Sequence, residues 1–257
     1  MSKIIQLSEE QVWSYVNCPV QFEMSQRGII SIAPRTLKSY VNQVTKMFFA
    51  NLMEGIVLDM QSLKKEWDKV WQQNSDFIDS KKGLQGYAAL NSLYRWAESI
   101  QLRILDIMVP YALMFQSKNS DIVFEVRGEV PCISVNKANQ PAILVMDYND
   151  KHTDQARVDM NLKYTLEAMA LKQQMGRSVG IHVRNTKHGT DTFSYRSDLD
   201  YERLRTTVTA VGFCIMNKIY YPREGPSCSS CNVMGACHSW TGAVERSDKP
   251  WLKSKNT

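Results

Sequence analysis

Residues 122–148, IVFEVRGEVPCISVNKANQPAILVMDY, decide the fold class of this sequence. Ile122–Arg127 and Val130–Val135 are rich in β-branched residues and predict two strands, and Ala142–Tyr148 predicts a third strand that is buried. The polar residues 136–141 between the last two predict a turn. Three strands joined in this way predict the beginning of a sheet.

The residues after this stretch alternate between helical and extended patterns. Apolar residues at helical spacing are followed by Gly176, a residue type that commonly ends helices. The predicted elements are a helix over about Gln155–Met175, strands at Val179–Arg184 and Thr192–Arg196 around a turn at Lys187–Gly189, and a last helix from Asp198 or Asp200 to about Lys218. This order of elements indicates an α/β protein.

The residues before the sheet, 36–118, predict an almost wholly helical region. Apolar side chains recur there at spacings of three and four, which is typical of buried helix faces. A further helical segment is predicted from about Tyr87 to Phe115, with Pro110 as a kink or break. The two clearest stripes consist of Leu37, Tyr40, Val41, Val44, Met47, Phe48 and Leu52, and of Leu63, Trp67, Val70 and Trp71. We therefore expect a helical insertion before the sheet.

The N-terminal segment predicts one short helix. Ser8 and Gln11 form a capping-box pattern, and Pro19 ends the helix because the residue before a proline is forced out of helical geometry. Together with the other elements, this helix divides the sequence into five segments. These are residues 1–34 with the first helix, 35–118 as the helical insertion, 119–220 as the α/β core, 221–242 as a cysteine segment and 243–257 as a polar tail.

Composition and charge exclude several classes of protein. The 257 residues are 44% hydrophobic with 12 glycines and 8 prolines, so the chain can bury a substantial core and is not collagen-like. Charges interrupt every apolar stretch before the ~20 residues that a transmembrane helix needs. The N-terminus also turns polar at once, so we expect a cytoplasmic protein with no membrane partner. The net charge of +5 permits a polyanionic partner without requiring one.

Three of the six cysteines, Cys228, Cys231 and Cys237, are clustered near the C-terminus. In a chain without a secretory signal, such a cluster favours metal ligation over disulfides. Cys18 is the best candidate for a fourth ligand. Zn²⁺ and a [4Fe–4S] cluster both accept four thiolates, and the spacing alone does not separate them. The remaining two cysteines lie in a predicted strand and a predicted helix and are interpreted as core thiols.

Motifs at both ends of the sequence resemble one protein family. They are Ser14-Tyr15-x-x-Cys18-Pro19-x-x-Phe22, and Tyr221-Pro222-Arg223-Glu224-Gly225-Pro226 leading into Cys-x-x-Cys-x₅-Cys and Trp240. Both resemble the signatures of RecB-like PD-(D/E)xK nucleases, a plan shared by AddB-type nucleases and the Cas-type nucleases of CRISPR adaptation. The resemblance implies a restriction-endonuclease-like sheet flanked by helices. It also implies a [4Fe–4S] cluster on Cys18, Cys228, Cys231 and Cys237 that joins the two chain ends.

The resemblance implies a catalytic site as well, but most of its residues are missing here. Such nucleases bind Mg²⁺ or Mn²⁺ through a Gly-x-x-Asp strand and an (Asp/Glu)-x-Lys strand, whose lysine helps to activate water. At the matching positions Pro131 replaces the aspartate and Asn149 replaces the lysine, whereas Asp147 is retained. No histidine precedes the sheet, and Met160 stands where a glutamine is usual one turn before Tyr164. We therefore expect that catalysis is lost.

A displaced catalytic site is the alternative hypothesis. Glu129 lies two residues before Pro131 and faces the same way in a regular strand. Lys151 follows shortly after Asp147 and could swing back towards it. Glu129, Asp147 and Lys151 would then form a rebuilt site for Mg²⁺ or Mn²⁺. The opposing interpretation is that all three lie on a solvated strand edge and turn.

Basic and aromatic residues occur together in the helical region, as a DNA-binding surface requires. Basic side chains neutralise phosphates and aromatic rings stack on unpaired bases. The plainer interpretation is solvated helix faces beside core aromatics. The residues are Lys64, Lys65, Lys69, Lys81, Lys82, Arg95 and Arg103, with Trp67, Trp71, Tyr87, Tyr94 and Trp96 among them.

Three functions remain open at this point. The first is an inactive iron–sulfur nuclease homologue that binds DNA or a protein partner in recombination, replication, mobile-element or phage processes. The second is an active metal-dependent DNA exonuclease with a displaced site. The third is a protein-interaction subunit, which exposed apolar surface on residues 100–115 would favour.

Overall fold

The computed structural model describes residues 3–28, 36–56, 58–74, 80–117, 121–148 and 153–225, together with Cys228, Cys231, Val233, Met234 and Cys237. This part of the chain forms helices and strands in mixed order. The helices are α1 Glu9–Asn17, α2 Pro19–Gln26, α3 Leu37–Met53, α4 Met60–Asn74, α5 Ser80–Ile100, α6 Gln155–Asp159, α7 Leu162–Met175 and α8 Asp198–Met216. The strands are β1 Lys3–Ser8, β2 Arg103–Gln116, β3 Ile122–Val135, β4 Pro141–Asp147, β5 Gly180–Asn185 and β6 Thr190–Ser194.

The six strands form one mixed sheet in the order β1-β3-β4-β5-β6, and β2 also pairs with β3. β1 runs parallel to β3, and β4 runs parallel to β5. The two remaining neighbouring pairs, β3 with β4 and β5 with β6, are antiparallel. The expected α/β class with helices around a core sheet is therefore confirmed. No helix within the described residues is long and apolar enough to cross a membrane.

The chain divides into two compact units. The first unit contains residues 1–33, 114–127 and 205–257, and the second contains 34–113 and 128–204. Strand β3 contributes its first half to the first unit and its second half to the second unit.

In the first unit, β1 and the last helix are packed around the first half of β3. Phe124 of β3 is completely buried, and its ring meets the ring of Phe213 on α8 edge to face at 5.2 Å between centroids. Gly212 lies directly beside that ring. The expected capping box at the start of α1 is confirmed, since Ser8 and Gln11 each accept a hydrogen bond from the other's backbone N–H.

In the second unit, helices α3, α4 and α5 form a hydrophobic core. Both apolar stripes that the sequence predicts are buried or partly buried there, which confirms them. Trp67 and Trp71 stack at 5.4 Å between ring centroids. Leu144 of β4 and the thiol of Cys132 on β3 belong to the same core, so Cys132 is a core thiol as interpreted, and burial raises its pKa.

The register of the parallel pair β4–β5 divides the sheet of the second unit into two faces. Asp147 lies level with Asn185, and Ala142 lies level with Gly180. Since side chains alternate along a strand, Val145 and Asp147 share one face. The opposite face carries Leu144 and joins the helical core.

The expectation of a helix up to Phe115 is wrong, because residues 103–116 form strand β2. Tyr111, Leu113 and Phe115 are buried while the residues between them are exposed, and this period of two belongs to a strand. An apolar run of this length fits either a helix or a strand by composition. Pro110 lies at an exposed position of this strand.

Three smaller differences concern element boundaries. The sequence analysis did not predict β1, whose apolar residues are too few to show a pattern. The two strands expected at Ile122–Arg127 and Val130–Val135 form one continuous strand. The single helix expected over Gln155–Met175 is two helices, because the Asn161 side chain accepts a hydrogen bond from the Tyr164 N–H and caps a new helix.

Gly212→Ala is predicted to destabilise the protein by about 1–3 kcal/mol. A Cβ at this position would stand 2.5 Å from the buried ring of Phe124, which has no space to move away. Thermal unfolding followed by circular dichroism measures the effect. Gly225→Ala is the control, because a Cβ there meets nothing within 4 Å, and an equal melting temperature for the Gly212 variant and the wild type would contradict the prediction.

Candidate functional site

The four cysteines of the predicted cluster site line one small cavity in the first unit. Cys18 reaches it from the start of α2, and Cys228, Cys231 and Cys237 reach it from the segment after α8. Val20, Val233 and the aliphatic part of Gln21 complete part of its wall. Residues that are more than 200 positions apart in the sequence therefore meet at one point.

A run of short backbone turns sets the spacing of the three C-terminal cysteines. The N–H of Cys228 donates to the Gly225 carbonyl, and the N–H of Cys231 donates to the Cys228 carbonyl at 3.1 Å. The pattern continues through Met234 to Cys237. Each turn advances three residues, so the thiols at 228, 231 and 237 return to the same side of the segment.

Two long-range hydrogen bonds hold the N-terminal helix against the segment before these turns. The Tyr15 hydroxyl donates to the Ile219 carbonyl at 2.5 Å, and the Arg223 guanidinium donates to the Val16 carbonyl at 2.5 Å. Rings of Tyr15, Phe22 and Tyr220 pack together around the first of these bonds. Tyr15 and Phe22 belong to the N-terminal motif, so this motif helps to position Cys18.

The donor chemistry of the cysteine cavity fits a thiolate-bound metal or cluster. The described residues nevertheless contain no group of three or more Cys, His, Asp or Glu side chains already arranged to hold a metal ion. The cavity that the four thiols help to line has a volume of about 20 Å³, enough for about one water molecule.

Asp147 lies at the end of β4 and lines a second cavity of about 180 Å³ between the sheet and α6–α7. The Thr153 hydroxyl donates to its carboxylate at 2.9 Å, and the Thr186 N–H donates to its backbone carbonyl at 3.0 Å. Lys38 and Arg157 line the same cavity. Asp147 is the only carboxylate among the described residues that line it.

The charges of the described residues that line this cavity suit an anion better than a divalent metal. Mg²⁺ binds through several hard oxygen ligands, such as carboxylates or substrate phosphates. Here one carboxylate faces the cations of Lys38 and Arg157. Tyr164 also lines the cavity, and burial, together with the nearby carboxylates of Glu167 and Asp147, raises its pKa to about 12, so its hydroxyl is protonated at neutral pH.

Arg196 holds α6 and α7 against the sheet and so shapes the wall of this cavity. It is buried, and burial lowers the pKa of its guanidinium. The guanidinium donates to the hydroxyl of Thr165 at 2.8 Å, the hydroxyl of Ser194 at 2.5 Å and the carbonyl of Val158 at 2.7 Å. One side chain therefore connects α6, α7 and β6.

The structure describes two of the three displaced-site residues, Glu129 and Asp147. Glu129 is exposed on β3 and is not among the described residues that line the cavity of Asp147. Lys151 and Asn149 lie outside the described residues. Tyr164 stands in the cavity, whereas Met160 is exposed on the turn before it.

The aromatic residues proposed for base stacking in the helical region are core residues. Trp67 and Trp96 are buried, and Trp71, Tyr87 and Tyr94 pack against the same core. Lys64 pairs with Asp68, and Lys69 pairs with Glu66 at 3.9 Å. The plainer interpretation of this region is therefore confirmed for its aromatic rings.

The structure of the chain is similar to two solved structures. One is a putative exonuclease from Eubacterium rectale, with 8% sequence identity over 92% of this chain and 87% of that chain and a TM-score of 0.51. The other is the protein SSO0001, with 9% identity over 91% of this chain and 86% of that chain and a TM-score of 0.45. No protein-family model and no curated protein matches the sequence. The first likeness shows that the chain shares the fold of that putative exonuclease.

Sequence reasoning missed the cations beside Asp147. Lys38 lies in the first turn of α3, far from Asp147 in the sequence, and no local pattern connects the two residues. Arg157 lies in a short helix that the sequence analysis merged with the next one. The cap at Asn161 was a usable signal, since Asn is a favoured N-cap residue.

Arg196→Met is predicted to lower the free energy of unfolding by about 3 kcal/mol. The variant removes the donor of three buried acceptors, and each unsatisfied buried group costs about 1–3 kcal/mol. Urea titration measures the change. Arg203→Met on the exposed side of α8 is the matched control, and a loss no larger than that of the control would contradict the bracing role of Arg196.

Proposed function

We propose that this protein is a DNA-binding, nuclease-fold protein that carries a [4Fe–4S] cluster and lacks metal-dependent nuclease activity. Its site of action would be cytoplasmic, in recombination, replication, mobile-element or phage processes. The observation that carries the proposal is the convergence of Cys18 with Cys228, Cys231 and Cys237 on one cavity. The nuclease-like fold supports nucleic acid as the partner.

The four cysteines are the residues that would hold the cluster. Thiolate sulfurs are the ligands of [4Fe–4S] clusters, and a Cys₄ set would equally accept Zn²⁺. The cluster, when bound, would cross-link the N-terminal helices to the segment after α8 by iron–thiolate bonds. Two hydrogen bonds, from Tyr15 to Ile219 and from Arg223 to Val16, already hold these two segments together. They would therefore position the thiols before the cluster binds.

The cavity of Asp147 supports loss of catalysis together with retention of phosphate binding. A metal bound there would have one carboxylate ligand from the described residues, and a nearby lysine and arginine would oppose its charge. The same two cations would attract a DNA phosphate. Lys38 and Arg157 are therefore the proposed phosphate contacts. Asp147 instead keeps the end of β4 in place through its hydrogen bond from the Thr153 hydroxyl.

A protein-interaction subunit without DNA binding is the second candidate function. Leu105 and Met108 of β2 are large apolar residues with substantial exposure, and Met114 is 56% exposed. Exposed apolar residues on one strand are a feature of protein contact surfaces. Absence of DNA binding, with Leu105→Ser weakening capture of a protein partner, would favour this function over the first.

Protein purified without oxygen is predicted to be brown, with broad absorption at about 400 nm and four irons and four sulfides per chain. Cys18→Ser, Cys231→Ser and Cys237→Ser should each lose iron and lower the melting temperature, because metal binding is coupled to folding. Cys214→Ser is the matched control, since this half-buried thiol lies outside the cavity. Iron and sulfide analysis with thermal unfolding measures both effects.

Two outcomes would contradict this prediction in different ways. Colourless protein with one zinc per chain would make the iron–sulfur assignment wrong but keep the ligand set. A Cys18→Ser variant with full iron content would remove Cys18 from the ligand set.

No cleavage of single-stranded or duplex DNA above background is predicted with Mg²⁺ or Mn²⁺. Loss of one activating group costs about 10²- to 10⁴-fold in rate, and here both the lysine and an aspartate are absent. Asp147→Ala and Lys151→Ala should therefore change no nuclease rate, with Glu98→Ala as an exposed control. Cleavage by the wild type that either variant abolishes would establish the displaced-site exonuclease of Glu129, Asp147 and Lys151 instead.

The same samples test DNA binding. Lys38→Gln combined with Arg157→Gln should weaken duplex binding and reduce the slope of log affinity against log salt by about 2, roughly one for each phosphate contact. Fluorescence anisotropy at several salt concentrations measures the slope. An unchanged slope would contradict the assignment of these two cations to phosphates.

A further inference from the structure

A large cavity of the second unit lies away from Asp147. It has a volume of about 1030 Å³ and is bounded by the end of α5, the starts of β4 and β5, and the end of β6. Ala142 and Gly180 line it, whereas Asp147 lies five residues further along β4. At about 3.3 Å per residue this separates the two sites by ~16 Å, and alternation puts them on opposite faces of the sheet.

Exposed aromatic rings form one wall of this cavity. Phe193 lies in strand β6 and is 55% exposed. Tyr195 directly follows this strand and is 71% exposed. The ring of Phe193 stacks on the imidazole of His182 at 4.3 Å between centroids and 22° between planes. The ring of Tyr195 lies over Gly180, where a Cβ would stand 3.2 Å from it.

His182 is part of this wall and is held in a fixed orientation. Its Nε2 is 2.7 Å from a carboxylate oxygen of Asp191, and the edge of the Trp96 indole packs against its ring. Burial lowers the pKa of His182 more than Asp191 raises it, so the imidazole is neutral at pH 7. The stack of His182 and Phe193 is therefore a rigid, uncharged aromatic platform.

The rest of the lining is positively charged. Arg103, Lys137 and Arg177 line the cavity and form no ion pair within the part of the chain that the structure describes. Asp191 is the only carboxylate among the described lining residues, and it is paired with the Arg184 guanidinium at 2.7 Å as well as with His182. The net charge offered to a ligand is therefore positive.

We propose that this cavity binds a nucleobase and its adjoining phosphate, with the base stacked on Tyr195 and Phe193 and the phosphate held by Arg103, Lys137 or Arg177. A volume of about 1030 Å³ accommodates a nucleotide, since ligand pockets commonly measure about 300–1000 Å³. Base stacking on aromatic rings beside basic side chains is the chemistry of single-strand binding.

This inference rests on the DNA binding in the proposed function and adds a second, single-strand site to it. The ligand chemistry could come from a single strand of DNA or from a free nucleotide. The experiment below distinguishes these two sources.

Tyr195→Ala should weaken binding of a fluorescein-labelled eight-nucleotide oligo(dT) by about tenfold or more, because stacking contributes strongly to each bound base. Tyr195→Phe should retain the affinity, since it keeps the ring. Leu199→Ala is the matched control, because Leu199 is equally exposed at 71% and lies outside the cavity. Circular dichroism verifies that each variant is folded.

Arg177→Gln should weaken oligo(dT) binding and reduce its salt slope by about 1, whereas Arg203→Gln on exposed α8 should change neither. Thymidine monophosphate is added as a competitor. Displacement of the oligomer at a concentration close to the Kd of the oligomer identifies a free nucleotide as the ligand, and failure to displace it identifies the single strand.

Equal oligo(dT) affinity for Tyr195→Ala and the wild type would overturn the proposal. A duplex of the same sequence separates this failure from failure of the proposed function. Duplex binding without Tyr195-dependent single-strand binding makes only the cavity proposal wrong. If the wild type binds neither the single strand nor the duplex, the DNA-binding function is wrong as well. If the protein shows Tyr195-dependent binding and also cleaves DNA with a metal ion, only the proposed inactivity is wrong.

Discussion

The parallel pairing of β4 with β5 is the constraint on which the second unit depends. Its register sets Asp147 level with Asn185 and Ala142 level with Gly180. A slip by one residue would exchange the two faces of β4, move Leu144 out of the helical core and turn Asp147 into it. The burial of Ile143 and Leu144 on opposite faces therefore fixes the register, and through it the positions of both cavities.

The two faces of this sheet carry different polar chemistry because different elements cover them. On the side of α6 and α7, the buried guanidinium of Arg196 needs three acceptors, and satisfying it draws both helices onto the sheet. On the other side, α3–α5 cover Leu144 but leave the end of β6 uncovered. Phe193 and Tyr195 therefore stay accessible beside a platform that His182 keeps rigid.

In the first unit, the corresponding constraint is the contact between helix α1 and residues 219–223. Tyr15 and Arg223 make their hydrogen bonds to backbone carbonyls, which do not depend on the identity of the residue that supplies them. The position of Cys18 is thus set by backbone geometry, while the turns from Gly225 to Cys237 set the other three thiols. Separate backbone contacts therefore set the position of Cys18 and the positions of the other three thiols.

Much of the architecture followed from local pattern. Several features could be predicted from the sequence, because each depends on near neighbours or on a motif. They are the helical stripes of α3 and α4, the capping box at Ser8, the hairpin of β3 and β4, and the four cysteines. Strand β2 could not be predicted in this way, since the apolar run near Pro110 is compatible with a helix and with a strand until its partner strand is known. The pairing of β2 with β3 determines that this run is a strand.

The sequence by itself determined four of the six cysteines as a candidate ligand set, an aspartate at the end of a predicted strand, and no lysine two positions later. Tertiary structure alone decided what surrounds that aspartate and where the exposed aromatics lie. Lys38 and Arg157 meet Asp147 only because α3 and α6 end up beside the same edge of the sheet. Arg103, Arg177 and Tyr195 likewise come from three separate elements. Contacts between residues distant in sequence arise from packing, and packing has no signature in local periodicity.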